Sequence, residues 1–268
     1  MQFYEILGHM MTPCRDDGKR FTQTERIDAI TRLLWDTRYR RINPQGLFLM
    51  YAAQPVERIE RPVVISSHID IVDNISRCFT RREEDDMILG TYDNGITNAA
   101  LLYLMIHERL PENAVAVFTG NEENSLRGAK QTAKFLRNRG ITPAAVIVLD
   151  VTEEGWEEAA DFTVENDFWD DGFGAALAAG LRGVTEKWVF VPSDTANVPD
   201  YIDPGRVIPR EAWEDEAWEY DEHGLTCFSM CLPVRGGMHS DEGVLARRSG
   251  AENYVSALGK VVKIAAGA

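Results

Sequence analysis

Three short runs constrain this chain most: PVVISSHID (62–70), NAVAVFTG (113–120) and TPAAVIVLD (142–150). Each begins as an unbroken apolar stretch rich in β-branched residues, the pattern of a strand buried on both faces. Helical patterns separate them, one over about 96–109 and one, SLRGAKQTAKFLRNRG, ending at Gly140. Strands that alternate with helices and are apolar on both faces pack as a largely parallel sheet covered on both sides. We therefore expect an α/β fold, a three-layer sandwich with a mixed, largely parallel central sheet and helices on both faces.

The rest of the chain extends that frame. Residues 22–39 read as an amphipathic helix with Ile27, Ile30, Leu33 and Leu34 on its buried stripe. GLFLMYAA (46–53), ADFTVEND (160–167) and EKWVFVP (186–192) read as strands, and GFGAALAAGL (172–181) as a helix. LTCFSMCLPV (225–234) is expected to be the last strand, and residues 247–268 a closing amphipathic helix. The charged stretch after Cys78 reads as a loop, and the acidic, Trp-rich EAWEDEAWEYDEHG (211–224) has no clear element. No internal repeat, low-complexity tract or linker interrupts the chain, so residues 1–268 are expected to form a single domain.

Composition narrows the function classes. A formal net charge of −15 argues against nucleic-acid binding and suits cationic substrates or metal ions. The N-terminus carries no signal-peptide pattern, and no run nears the roughly 18 apolar residues of a membrane helix, so a cytoplasmic protein without membrane contact is expected. Cys14, Cys78, Cys227 and Cys231 form no C-x-x-C pair. Cys227 and Cys231 would share one strand face roughly 13 Å apart, too far for a disulfide.

Ligands of open α/β sheets gather beyond the carboxyl ends of the strands, and unusual polar residues recur there. His68 and Asp70 end the first run, Glu122 and Glu123 follow the second, and Asp150 ends the third. Asp93 sits in the turn GTYDNG before a helix, and His239 follows LTCFSMCLPV in RGGMHSDEG. Singly, each reads as a cap, a turn residue or a packed imidazole, which is how His9, His107 and His223 are read. Together, two histidines and several carboxylates at one sheet edge would repel and desolvate one another unless a cation neutralised them. Imidazole with carboxylate suits zinc and similar divalent ions.

The ordered series SSHIDIV, GTYDNGITNAA, GNEENSLRGA, VIVLDVT and MHSDEG, spread over residues 61–245, resembles the co-catalytic dizinc exopeptidases, and among them the bacterial leucyl aminopeptidase-like family. That resemblance implies a phosphorylase/hydrolase-like zinc peptidase fold and two divalent ions, zinc first, with cobalt or manganese as alternatives. It implies that His68, Asp93, Glu123, Asp150 and His239 are metal ligands, Asp93 bridging, with Asp150 beside His68 and Glu123 beside His239. Asp70 would orient His68, and Glu122 would be the general base for a water placed between the metals. The order of the two glutamates comes from the resemblance, since spacing permits either.

Only 24 residues separate His68 from Asp93 and 88 separate Asp150 from His239, which leaves room for neither an inserted domain nor a lid. The expected substrate is a peptide or small amide, and a homo-oligomer is compatible with the sequence. Substrate choice would then fall to NISRCFTRREEDDM, NDFWDDGFG and EAWEDEAWEYDEHG, with Asp221 and Glu222 as weak candidates for an amine. A deacylase, a glutaminyl cyclase-like enzyme or a non-catalytic binding relative are the competing readings. The complete set of five presumed ligands favours two metals, and hence hydrolysis, over the cyclase, and a non-catalytic relative would be expected to have lost ligands or the base; the deacylase stays an alternative.

Overall fold

The computed structural model describes residues 1–43 and 46–268, and it turns the three apolar runs into neighbouring strands. The chain begins α1 (Phe3–Met10), β1 (Arg15–Asp16), β2 (Phe21–Gln23), α2 (Glu25–Leu34), β3 (Arg40–Arg41), β4 (Phe48–Ala52) and β5 (Val63–His68). It continues β6 (Thr80–Arg82), β7 (Met87–Gly90), α3 (Gly95–Ile106), β8 (Ala114–Thr119), α4 (Glu122–Ser125), α5 (Arg127–Asn138) and β9 (Ala145–Thr152). It ends β10 (Phe162–Phe168), α6 (Asp171–Leu181), β11 (Trp188–Val191), α7 (Glu216–Glu222), β12 (Cys227–Gly237), β13 (Gly243–Arg247) and α8 (Arg248–Gly267).

The main body of the sheet has the order β3-β4-β8-β5-β9-β12-β10-β11. Its centre, β8-β5-β9-β12, is parallel, while β4 runs antiparallel to β8 and β10 antiparallel to β12. The sheet is thus mixed with a parallel core, as the alternation of elements implies. Strand alternation explains the unbroken apolar runs. Val63, Ile65, Ala116, Phe118, Ile147 and Leu149 pack on the face covered by α1, α3, α6 and α8. Val64, Val115, Val117, Val146 and Val148 face Ala129, Ala133 and Leu136 of α5 and Ala217 and Tyr220 of α7. With water excluded from both faces, no position along these strands favours a polar side chain until the strand ends.

Three expectations need correction. LTCFSMCLPV is not the last strand. β12 pairs with β9 up to Pro233, then leaves the main sheet and pairs with β13 from Val234 to Gly237. β13 in turn pairs with β7, and β7 with β6. The charged stretch after Cys78 therefore forms two strands of an outlying ribbon, not a loop. Arg81 and Arg82 are exposed while Ile88 is buried, so this segment covers little core and has no apolar signature.

The expected helix 22–39 is confined to α2. Residues 21–23 pair with the strand before them, and Ile27 and Leu33 are only partly buried. Arg26 lies on the buried face instead, fully enclosed, where Nε donates to Thr12 O (3.0 Å) and Nη1 to Ile69 O (2.9 Å). The four cysteines are free thiols. Among the described residues, no helix is long and apolar enough to cross a membrane.

Candidate metal centre

The carboxyl ends of β5, β8 and β9 bring the polar residues together. His68 closes β5; Ile69 N–H bonds to Thr119 O (2.8 Å) and Asn98 Nδ2 donates to His68 O (2.8 Å), so its backbone is fastened on both sides. Asp93 occupies the turn before α3, and Asn94 Nδ2 ties that turn to β9 through Leu149 O (2.5 Å). Asp150 lies within β9, which continues to Thr152, so it does not cap a following element. His239 sits on the turn between β12 and β13.

Glu122 and Glu123 do not simply leave a strand. They open the short helix α4 behind Asn121, which has a left-handed backbone, so helical geometry aims their carboxylates. Asp70 is the organiser beneath them. It receives the backbone N–H groups of Glu122 (3.3 Å) and Glu123 (3.4 Å), and its Oδ1 lies 3.6 Å from His68 Nδ1. One carboxylate thus fixes the start of α4, the electropositive end of a helical turn, and faces the imidazole.

Asp93 stands between two groups of potential ligands. Its Oδ1 lies 2.9 Å from His68 Nε2, which is 3.6 Å from Asp150 Oδ1. Its Oδ2 lies 3.0 Å from His239 Nε2, which is 3.3 Å from Glu123 Oε2. Within His68–Asp93–Asp150, and within Asp93–Glu123–His239, the donor atoms fall within 4.8 Å of one another. The set His68–Glu122–Glu123 meets the same limit, with Glu122 Oε2 4.0 Å from His68 Nε2.

These residues fit divalent cations. Asp93 Oδ1 and Glu123 Oε1 are buried without a hydrogen-bond partner, and the short approach of His68 Nε2 to Asp93 Oδ1 lacks hydrogen-bond alignment. Carboxylate oxygens left without a hydrogen bond keep their lone pairs for a third body, and imidazole with carboxylate suits a zinc-like ion. The protonation balance of the bare cluster fits the same picture. Burial works against a charged His68, yet the carboxylates of Glu122 and Asp150 outweigh it and hold the imidazole well above its usual range. Burial pushes Glu122 and Asp150 up, and pushes Glu123 to about 8. Burial also opposes ionisation of Asp93, but the hydrogen bond to His239 and the close approach of His68 carry its carboxyl below the usual range. The bond to Asp93 raises His239 to about 9.

A cavity of about 870 Å³ opens over the cluster. Its wall adds Glu153, Glu165, Glu214, Asp215 and Glu219 to the candidate residues, with Trp213, Val151 and Met238, and among the described residues no Lys or Arg lines it. Of the three segments considered for substrate choice, only 211–224 reaches this wall, through Trp213, Glu214, Asp215 and Glu219; Asp221 and Glu222 do not. Glu165 has no sequence signal because it lies inside β10, a strand without a motif, and Glu153 has none because it follows VIVLDVT only as an ordinary acidic residue of a loop. His9, His107 and His223 stand outside the cluster, His223 bonded to Glu219 O at the end of α7.

Comparison with known proteins agrees with this geometry. The family described as Peptidase family M28 matches residues 50–184. No curated protein matches the chain. Among solved structures, the TET aminopeptidase of the marine sediment archaeon Thaumarchaeota archaeon SCGC AB-539-E09 is similar at TM-score 0.74 and 10% identity, over 99% of this chain and 99% of that one. The TET1 peptidase of Pyrococcus horikoshii, which assembles into a tetrahedron or a large octahedral shell, is similar at TM-score 0.67 and 10% identity, over 97% and 99%. The LapA aminopeptidase of Legionella pneumophila is similar at TM-score 0.60 and 13% identity, over 98% of this chain and 70% of that one. Likeness at such identities speaks for a shared fold.

Proposed function

The chain belongs to peptidase family M28, and from that premise we propose that it is a metal-dependent aminopeptidase that removes N-terminal residues from peptides or small amides. The observation that carries this reading is Asp93, whose two oxygens each face a separate imidazole–carboxylate pair. In this reading His68 and Asp150 hold one divalent ion and Glu123 and His239 a second, with Asp93 between them and zinc as the preferred metal. When bound, such ions polarise the scissile carbonyl and lower the pKa of the attacking water from about 15.7 towards about 7.

The chain's own residues do the rest. Glu122 accepts the water's proton at its carboxylate and returns it to the departing amine. Asp70 keeps His68 in one orientation and tautomer. The cavity decides which end of a peptide enters. The exposed carboxylates Glu153 and Glu214 attract a terminal ammonium, and among the described lining residues no Lys or Arg offers a terminal carboxylate a counter-charge, which favours an aminopeptidase over a carboxypeptidase. Trp213, Val151 and Met238 offer apolar surface to the first side chain. We take residues 1–268 to act as one catalytic domain. Four free thiols suit the reducing cytoplasm, and a homo-oligomer is the assembly we expect.

The test uses matched peptides with free and acetylated N-termini, with and without a chelator. Cleavage of the free form alone, abolished by chelation and restored by zinc or cobalt, is the expected result. Cleavage of the acetylated form alone would make the protein a deacylase, and cleavage indifferent to chelation would remove the metal from the reaction.

A further inference from the structure

The two candidate metal histidines are held very differently. His68 belongs to a central strand, and its side chain is 2% exposed. The side chain of His239 is 52% exposed on a turn, and the residue has φ +61°, a left-handed backbone that disfavours a residue with a Cβ. Bonds within the turn, such as Ser240 Oγ to Gly237 O (2.8 Å), hold part of it, and a second hold comes from outside.

The segment between β5 and β6 supplies that hold. Asn74 Nδ2 donates to His239 O at 2.6 Å. Two residues on, Ser76 gives both its N–H (2.7 Å, to Oδ1) and its hydroxyl (2.6 Å, to Oδ2) to the carboxylate of Asp241. The segment is itself anchored to the N-terminal part of the fold: Ile71 N–H bonds to Cys14 O (3.1 Å), and Arg15 donates to Val72 O (3.0 Å) and to Ile75 O. Neither Asn74 nor Ser76 lines the substrate cavity, and Asp241 does not either. Their bonds hold the turn at the carbonyl of His239 and, two residues on, at the side chain of Asp241, and leave the imidazole free to face Asp93 and Glu123.

We infer that Asn74, Ser76 and Asp241 are positioning residues for His239, and that they set the cation affinity of the Asp93–Glu123–His239 half of the centre while leaving the His68 half unchanged. The inference rests on the two-ion reading above. Part of the segment first considered for substrate selection thereby acquires a different task, that of a clamp on a metal ligand.

The experiment is a cobalt titration of chelator-stripped protein, followed by equilibrium dialysis and visible absorption. It compares wild type, the double variant Asn74→Ala/Ser76→Ala, the conservative Ser76→Thr, and His239→Ala. The double variant should take its first ion as wild type does and its second roughly 10- to 100-fold more weakly, the usual effect of removing groups that support a ligand. Ser76→Thr keeps both donors and should match wild type. The ion that the double variant retains should have the cobalt spectrum of the ion that His239→Ala retains. A second ion bound as tightly as in wild type overturns the clamp, as does an equal loss at both steps accompanied by a lower melting temperature. So does retention of the ion that His239→Ala loses. A wild-type protein that binds a single ion overturns instead the two-ion reading on which the clamp depends.

Discussion

Replacing Glu122 with Gln separates two roles that adjacent glutamates can play. Glu122 stands outside the two triads that share Asp93, yet with His68 and Glu123 it forms a third grouping equally tight. If Glu122 is the base, Gln preserves its length and volume, and its backbone N–H still reaches Asp70. Both triads then stay intact and both ions stay bound. The loss falls on proton transfer alone, which is worth about 10²–10⁴ in rate, or about 3–5 kcal/mol of barrier. Glu123→Gln should behave oppositely. Glu123 Oε2 lies 3.3 Å from His239 Nε2 and its Oε1 is buried without a partner, so the amide should weaken or expel one ion. The assay measures kcat on an aminoacyl amide and metal content on the same samples. Glu122→Gln losing an ion while Glu123→Gln keeps both would reverse the two assignments. A fall in kcat of less than about tenfold, with both ions present, would show that Glu122 is no base.

Three further outcomes follow from particular contacts. Asp70→Ala removes the acceptor for two N–H groups of α4 and the carboxylate facing His68, and should weaken metal binding about 10- to 100-fold in a dialysis assay; unchanged affinity would separate Asp70 from the centre. Burial raises Glu165 to about 8, so the folded chain keeps a proton that the unfolded chain releases near its ordinary value. Glu165 therefore stabilises the fold at low pH, and that contribution is lost as pH rises through about 8; Glu165→Gln should flatten the decline by no more than ~5 kcal/mol in urea melts of metal-free protein, and parallel pH profiles would refute this. A Cβ on Gly128 would meet Gly120 N, Gly120 O and Leu47 O at 2.6 Å. Because those atoms are backbone, Gly128→Ala should cost about 1–3 kcal/mol by chemical denaturation, and a neutral result would show that α5 can shift away from β8.

The sheet centre was legible because its strands are enclosed on both faces, which leaves Val63–Ile65, Ala114–Phe118 and Ala145–Leu149 no reason to alternate. The ribbon was not legible, since Arg81 and Arg82 face solvent and pairing there depends on β13, far along the chain. Helix α1 was legible in principle, since Phe3, Ile6, Leu7 and Met10 are spaced for one buried stripe, but its eight residues give that period little more than two turns. At the centre, residues that end buried strands announced themselves as polar interruptions of apolar runs. Which glutamate faces which imidazole did not, because a four-residue helix decides it. Asn74 and Ser76 had no signature either, and although Asp241 lies in MHSDEG, its meeting with them across the fold is not visible in the sequence.

The double exposure of Asp93 also bears on how such a centre can be simplified. A carboxylate with one oxygen on each side makes the two halves unequal targets for change: a substitution at Asp93 strips a donor from both at once, whereas one at Glu123 or His239 strips it from the outer half alone. On the two-ion reading, a one-ion descendant of this chain would therefore be one step away through the outer pair, and no single step away through the shared residue. Drift or engineering towards mononuclear chemistry would be expected to begin at the turn between β12 and β13, where solvent already reaches the imidazole.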